Sequence, residues 1–418
     1  MTDNDLFKWL TPGIGIKRWL GLILAGAVFL GMAAAGLVIA FYRSRPAALW
    51  AYMVWLAELP LWLLIAILGA AGVLMVIVGV VRINRSILEP LQVEMPNLLD
   101  AMVERRQRKQ GPRIVAIGGG TGLPTLLRGL KTYTTNITAV VTVADDGGSS
   151  GRLRRDMGVL PPGDFRNNIA ALAKDEGLLT QLFQYRFGEG GLEGHSFGNL
   201  FITAMSEVTG SFESALEESS KVLAVRGQVL PSTLANVTLT AVMRQSEHEG
   251  TTFVVGESRI PEENGRIERV ALQPDDIRAY PGSVRAILNA DLIVFGPGSL
   301  FTSILPNLLV NDISEAVRAS KAVKVYVCNV ATQPGETDGF TVMDHVRAIE
   351  QHVGDDLFDV VIANNEFPPT KATYVQPNGS LAPSTRIVTT PLVDEAKPWR
   401  HDPEKLARAL MALIGPQS

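Results

Sequence analysis

Two stretches decide the fold: Arg113-Ile-Val-Ala-Ile-Gly-Gly-Gly-Thr-Gly122 and, one helix length later, Ile137-Thr-Ala-Val-Val-Thr-Val-Ala-Asp-Asp-Gly-Gly-Ser-Ser-Gly151. Each is a short apolar, largely β-branched run that ends in a loop of small and polar residues. An open parallel sheet presents a nucleotide site in this way: the strand stops, the backbone turns at glycine, and a helix N-terminus faces phosphate. Further buried-strand runs follow at Leu292–Phe295, Lys324–Cys328 and Val360–Ala363, each an uninterrupted apolar segment suited to a sheet covered on both faces. Helical periodicity falls between them, at Leu123–Tyr133, Phe165–Lys174, Phe197–Val208, Phe212–Leu223, Val284–Leu288, Ser314–Ala319 and Val342–Gln351. Thr341 followed by Asp344 predicts a capping box. Alternating strands and helices give an α/β class with a Rossmann-like, doubly wound, mostly parallel sheet. Thr252–Gly256 and Arg266–Ala271, flanking Asn264-Gly265, predict a β-hairpin beside it.

The first hundred residues differ in composition. Residues 20–42 and 61–81 are almost free of charge and exceed the roughly 18 apolar residues that a membrane span needs. They explain why mean hydropathy is positive, at +0.18. A cleaved signal peptide with a buried helix fits less well, because the second stretch is too long and no clear cleavage site follows the first. Lys8, Lys17 and Arg18 precede the first stretch, and Arg82, Arg85 and a basic cluster at 105–109 follow the second. Only Arg43 and Arg45 lie between. The positive-inside bias then predicts an α-helical two-span hairpin in residues 1–83 with both ends in the cytoplasm. Residues 84–110 form a basic juxtamembrane linker, and residues 111–418 form a cytosolic domain. The expected location is the cytoplasmic membrane, multi-pass. The single Cys328 excludes an intrachain disulfide and suits a reducing compartment. Residues 111–418 carry 27 Lys and Arg against 35 Asp and Glu, which disfavours nucleic acid as a partner.

The chemistry-bearing residues gather in loops. Gly118, Gly119, Gly120, Thr121 and Gly122 match neither G-x-G-x-x-G nor the P-loop pattern, yet they let a backbone approach an anion closely. Asp145, Asp146, Gly147, Gly148 and Ser149 end the second strand. A carboxylate there bonds a ribose diol or holds a divalent cation, so Asp145 and Asp146 are also the candidate metal ligands, for Mg2+. Asp164 and Asn167 lie at a helix start, Arg186 is a candidate phosphate ligand, and His195 and Asn199 sit in a loop leading to a helix. Gly296, Gly298 and Ser299 repeat the glycine-loop pattern, and Asn329 and Thr332 follow another strand. No zinc-ligand spacing, nucleophile elbow or Ser-His-Asp spacing is present. Asp145 at a second strand end also admits an NAD-dependent oxidoreductase, against which the broken glycine fingerprint counts.

Taken together, the runs Gly118–Leu123, Val143–Arg152, Gly163–Asn167, His195–Leu200, Gly296–Pro306 and Thr332–Thr337 resemble the 2-phospho-L-lactate transferase (CofD)-like family, and within it the gluconeogenesis-factor (YvcK-type) branch. The similarity covers roughly residues 111–415. It implies a nucleotide-sugar ligand, UDP-N-acetylglucosamine in the bacterial branch. It also implies a regulatory role in cell shape and cell-wall precursor metabolism during gluconeogenic growth, with cell-wall-synthesis or regulatory proteins as partners and a homo-oligomer as a further expectation. The transferase relatives use Mg2+ to pass lactyl-phosphate from a guanylyl donor to a deazaflavin alcohol in coenzyme F420 synthesis. That activity is the alternative to a ligand-binding regulator. The hairpin departs from the family's soluble members.

Overall fold

The computed structural model describes residues 110–174, 177–245, 250–378 and 385–414, together with six helical, exposed positions between 27 and 38. The span expected at 61–81 lies outside the described residues, as does the span at 20–42 apart from those six positions. Among the described residues no helix is long and apolar enough to cross a membrane. Residues 107–418 form one compact unit, distinct from residues 1–106.

The unit is built on a sheet whose strands are β1 (Ile114–Gly118), β2 (Ile137–Val141), β3 (Gln228–Pro231), β7 (Leu292–Phe295), β8 (Val323–Val327), β9 (Val360–Asn364) and β10 (Arg386–Thr390). Their order is β10-β9-β8-β7-β1-β2-β3. Every neighbouring pair is parallel. β1, β2, β7 and β9 are buried along their whole length. That is the condition of a sheet covered on both faces, and it accounts for apolar runs that do not alternate. Between the strands run α1 (Gly122–Leu130), α2 (Gly148–Met157), α3 (Gly163–Leu172), α4 (Leu178–Gln184), α5 (Phe197–Thr209), α6 (Phe212–Val222), α7 (Pro281–Leu288), α8 (Asn311–Ala319) and α9 (Val342–Val353), and α10 (Pro403–Ile414) follows the last strand. The capping box at the start of α9 is present in full: Thr341 accepts from the Asp344 N–H, and the Asp344 carboxylate accepts from the Thr341 N–H.

The chain leaves β1 toward β2 on one side and returns to β7 on the other. Strand direction of travel therefore reverses at β1, and open α/β sheets bind ligands at such a switch point, outside the carboxyl ends of the strands. The doubly wound, mostly parallel α/β fold is as the sequence implies.

One expectation fails. Thr252–Gly256 and Arg266–Ala271 do not pair with each other. β5 (Thr251–Val255) and β6 (Arg266–Gln273) both pair, antiparallel, with β4 (Thr238–Arg244), in the order β5-β4-β6. β4 takes the centre because Leu239, Ala241 and Met243 are buried, whereas β5 and β6 keep exposed residues at alternate positions. A 3-10 turn at Glu257–Glu262, containing Pro261, separates β5 from the Asn264-Gly265 turn.

Candidate functional site

A cavity of about 180 Å³ opens at the carboxyl end of β2. Asp145, Gly147, Gly148, Ser149, Asp164, Asn167, Arg186 and Asn199 line it, all of them residues the sequence singles out. Ser150, Gly163 and Arg166 complete the wall. The N-terminus of α2 supplies one side, with backbone N–H groups that have no partner within the helix. Gly147 precedes it, and Gly148 is left-handed at φ +48°. The N–H of Gly147 donates to Asp145 Oδ1 at 2.9 Å, which closes the turn between strand and helix.

The glycine loop after β1 joins this wall through Asp164. Its Oδ2 accepts from the Gly120 N–H at 2.6 Å. A Cβ on Gly119 would stand 2.7 Å from that same oxygen and 2.9 Å from Thr142 Cγ2, so only glycine admits the approach. Gly118 ends β1, and its carbonyl accepts from Asn307 Nδ2. Thr121 flanks α1 without a side-chain cap. Gly122 packs against the Pro297 backbone, which brings the loops after β1 and β7 together.

Other candidates have different neighbours. Asp146 turns away from Asp145: its Oδ1 accepts from the Ser258 N–H at 2.9 Å, and its Oδ2 lies against Gly256. The two acids thus do not form one cation cradle. Among the described residues no group of three His, Cys, Asp or Glu is arranged to hold a metal. Gly298 and Asn329 exchange hydrogen bonds, the Gly298 N–H to Oδ1 and Nδ2 to the Gly298 carbonyl. Gln333 Nε2 donates to Ser299. Gly298, Asn329 and, through Gln333, Ser299 therefore brace one another, and the Gly296 N–H donates to the Ile117 carbonyl. Thr332 is tied to the Thr373 carbonyl. Arg186 and His195 share a small hairpin, with Arg186 bridged to Ser196 and its guanidinium donating to the Gly194 carbonyl at 2.6 Å.

Arg166 is the residue that sequence reasoning missed. It is only 7% exposed, its Nε has no partner, and one terminal nitrogen donates to Asn167 Oδ1 at 2.8 Å. Burial, and then the charge of Arg186, lower its pKa to about 10. Two guanidinium groups therefore repel each other at a cavity that also receives a helix N-terminus, an arrangement that an anion would relieve. The sequence signal for it is the run Gly163–Asn167, which contains Arg166 between the two residues singled out.

Carboxyl groups surround the same region. Burial is the largest cause in each case: it pushes Asp164 up to about 6, Glu336 up to about 7 and Glu257 up to about 8. Glu336 Oε1 accepts from Thr302 Oγ1 at 3.2 Å, while Oε2 has no partner. An acid whose pKa is raised by folding holds its proton more tightly in the folded chain. Its contribution is complete below its unfolded pKa, near 4, and is lost as pH rises through 6 to 8. Glu336→Gln should therefore melt at the same temperature as the parent at pH 4 and several degrees higher at pH 8. The gain is bounded by about 3 kcal/mol, from the rise of 4.5 to about 7. Equal differences at both pH values would contradict the assignment.

Comparison with known proteins identifies the family. The family model described as 2-phospho-L-lactate transferase CofD matches residues 114–415. A relative from Nostoc sp. (strain PCC 7120) is 47% identical over 442 residues, covering 99% of this chain and 93% of its own. The gluconeogenesis factor of Bacillus subtilis (strain 168) is 54% identical over 261 residues, 62% of this chain and 81% of its own. A crystal structure of a UPF0052-family protein from Bacillus halodurans superposes with a TM-score of 0.67 at 45% identity, covering 72% of this chain and 99% of that one. The chain belongs to the CofD family, in the company of proteins named gluconeogenesis factors.

Proposed function

We propose that the cavity binds the diphosphate of a nucleotide sugar, UDP-N-acetylglucosamine, and that the chain is a regulator of cell shape and cell-wall precursor metabolism during gluconeogenic growth. The observation that carries this reading is the buried Arg166, its Nε unpartnered, opposed to Arg186 beside the N-terminus of α2. A diphosphate supplies the acceptors these donors lack. Its sugar and ribose hydroxyls suit the surrounding acids, since a carboxylate accepts from a diol. The gluconeogenesis-factor name of its relatives supports the physiological half. Calorimetric titration of the whole chain tests it: saturable heat with one ligand per chain is expected, and no saturable heat at millimolar ligand overturns it.

The hairpin expected in residues 1–83 gives the reading a place, the cytoplasmic membrane, with regulatory or wall-synthesis proteins as partners. Removing residues 1–106 is expected to leave affinity for the nucleotide sugar unchanged and to abolish recovery in the membrane fraction. A large loss of affinity, or continued sedimentation with membranes, contradicts the tether.

A second reading has its own observation. The family model's description is that of a phosphotransferase, and Asp145 and Asp164 line the cavity together. A Mg2+-dependent 2-phospho-L-lactate transferase would convert guanylyl-lactate and the deazaflavin alcohol to product in the presence of Mg2+. Absence of product removes this reading.

A further inference from the structure

Ser149 and His195 are 46 residues apart in sequence and adjacent in space: Ser149 Oγ lies 3.0 Å from His195 Nδ1. Asn199 Nδ2 donates to the same oxygen at 3.0 Å. An amide nitrogen can only donate, so the Asn199 contact occupies a lone pair of Ser149 and leaves the hydroxyl proton free to point at His195. The His195 pKa lies below the ordinary histidine value because of burial first and the charge of Arg152 next, with Arg186 adding to this and Asp156 opposing it. In the neutral tautomer protonated at Nε2, Nδ1 is the bare nitrogen and accepts the Ser149 proton. Ser149 is the second residue of α2, it lines the cavity, and Arg166 and Arg186 line the same space.

We propose that Ser149 is a nucleophile toward phosphorus, with His195 as its general base and Asn199 as the residue that orients it. The proposal rests on the reading of the cavity as a diphosphate site. The reacting phosphorus belongs to a diphosphate held by Arg166 and Arg186. A bond forms between Ser149 Oγ and phosphorus, and the bond from that phosphorus to the bridging oxygen breaks. The bridging oxygen leaves with the electron pair on the other phosphate, and the Ser149 proton passes to His195 Nδ1. His195 then releases that proton to solvent. Water attacks the phosphoserine, its proton goes to His195, and Ser149 leaves and recovers a proton from the ring. The sum is one diphosphate ester and one water giving a nucleoside monophosphate and a sugar phosphate. The positive groups stabilise the charge spread over the phosphoryl oxygens in transit.

The test uses the full chain and UDP-N-acetylglucosamine, with acid quench, intact-protein mass spectrometry, peptide mapping and measurement of released uridine monophosphate. The expected result is an adduct on Ser149, carrying the sugar phosphate or the uridylyl group according to which phosphorus is attacked, or steady release of the monophosphate. Ser149→Ala removes both. His195→Gln slows both by about 100-fold or more, the usual worth of a general base. The parent rate climbs with pH to a plateau as His195 loses its proton, and His195→Gln loses that dependence, which a merely structural histidine would not cause. Calorimetric binding with neither adduct nor release overturns the nucleophile and leaves the binding reading standing. Absence of binding together with absence of adduct overturns both. An adduct on another residue, or release undiminished in Ser149→Ala, also overturns the assignment.

Discussion

Arg166→Ala is expected to weaken binding of UDP-N-acetylglucosamine by about 30- to 3,000-fold while leaving the unliganded fold in place. Truncating one partner of a buried, hydrogen-bonded charge pair costs about 2–5 kcal/mol, and every 1.4 kcal/mol is tenfold in affinity. The free protein loses little, because Arg166 is unfavourably placed there. Its guanidinium is buried, its Nε is unpartnered, and Arg186 repels it, with Asp164 and Asp145 only partly offsetting these costs. The two effects separate in a thermal melt: the unliganded melting temperature stays near that of the parent, and the rise on adding ligand disappears. Arg166→Lys keeps a charge but loses the planar fork and the Nε donor, so it should recover only part of the affinity. Affinity within threefold of the parent in Arg166→Ala would remove Arg166 from the site.

Phe165→Ala is expected to cost about 3–5 kcal/mol of stability, the range for truncating a buried phenylalanine. Phe165 is fully buried and meets Phe212 of α6 edge-to-face, with ring centroids 5.0 Å apart. It stands between Asp164 and Arg166 on α3, so the ring that anchors the helix in the core also sets the two functional side chains on the cavity wall. Denaturant unfolding should show the loss, and ligand affinity should fall with it. A loss below about 1 kcal/mol would mean that the core closes over the space, which the T-shaped contact with Phe212 argues against.

The central strands were legible because burial on both faces leaves a sequence no room for alternation. Ile114–Gly118, Leu292–Phe295 and Val360–Asn364 begin at the residues read from the sequence. Edge strands carry a weaker signal. Gln228–Pro231 and Arg386–Thr390 are half exposed, and neither reads as a strand. α2 was missed because Gly148-Ser-Ser-Gly151 has poor helix propensity, and it is packing of Ser149, Ser150 and Leu153 that makes the segment helical. The glycine loops were all visible, and the sequence groups them at one sheet edge. Those after β7 and β8 brace each other, while the loop after β2 and α3 line the cavity and the loop after β1 joins them through Asp164. Arg166 was hidden because arginine is rarely buried, and a helical position predicts a solvated side chain. The Ser149–His195 contact has no sequence spacing to betray it, since a hairpin and the start of α5 carry His195 and Asn199 back over α2.

The central claim is a location as much as a ligand. A crystal structure of residues 107–418 grown with UDP-N-acetylglucosamine tests it most directly. The diphosphate should lie at the N-terminus of α2, with a phosphate oxygen within hydrogen-bond distance of Arg166 Nε and the Arg186 guanidinium beside it. Ligand bound elsewhere with Arg166 Nε still unpartnered, or a cavity that stays free of ligand at saturating concentration, would contradict the account.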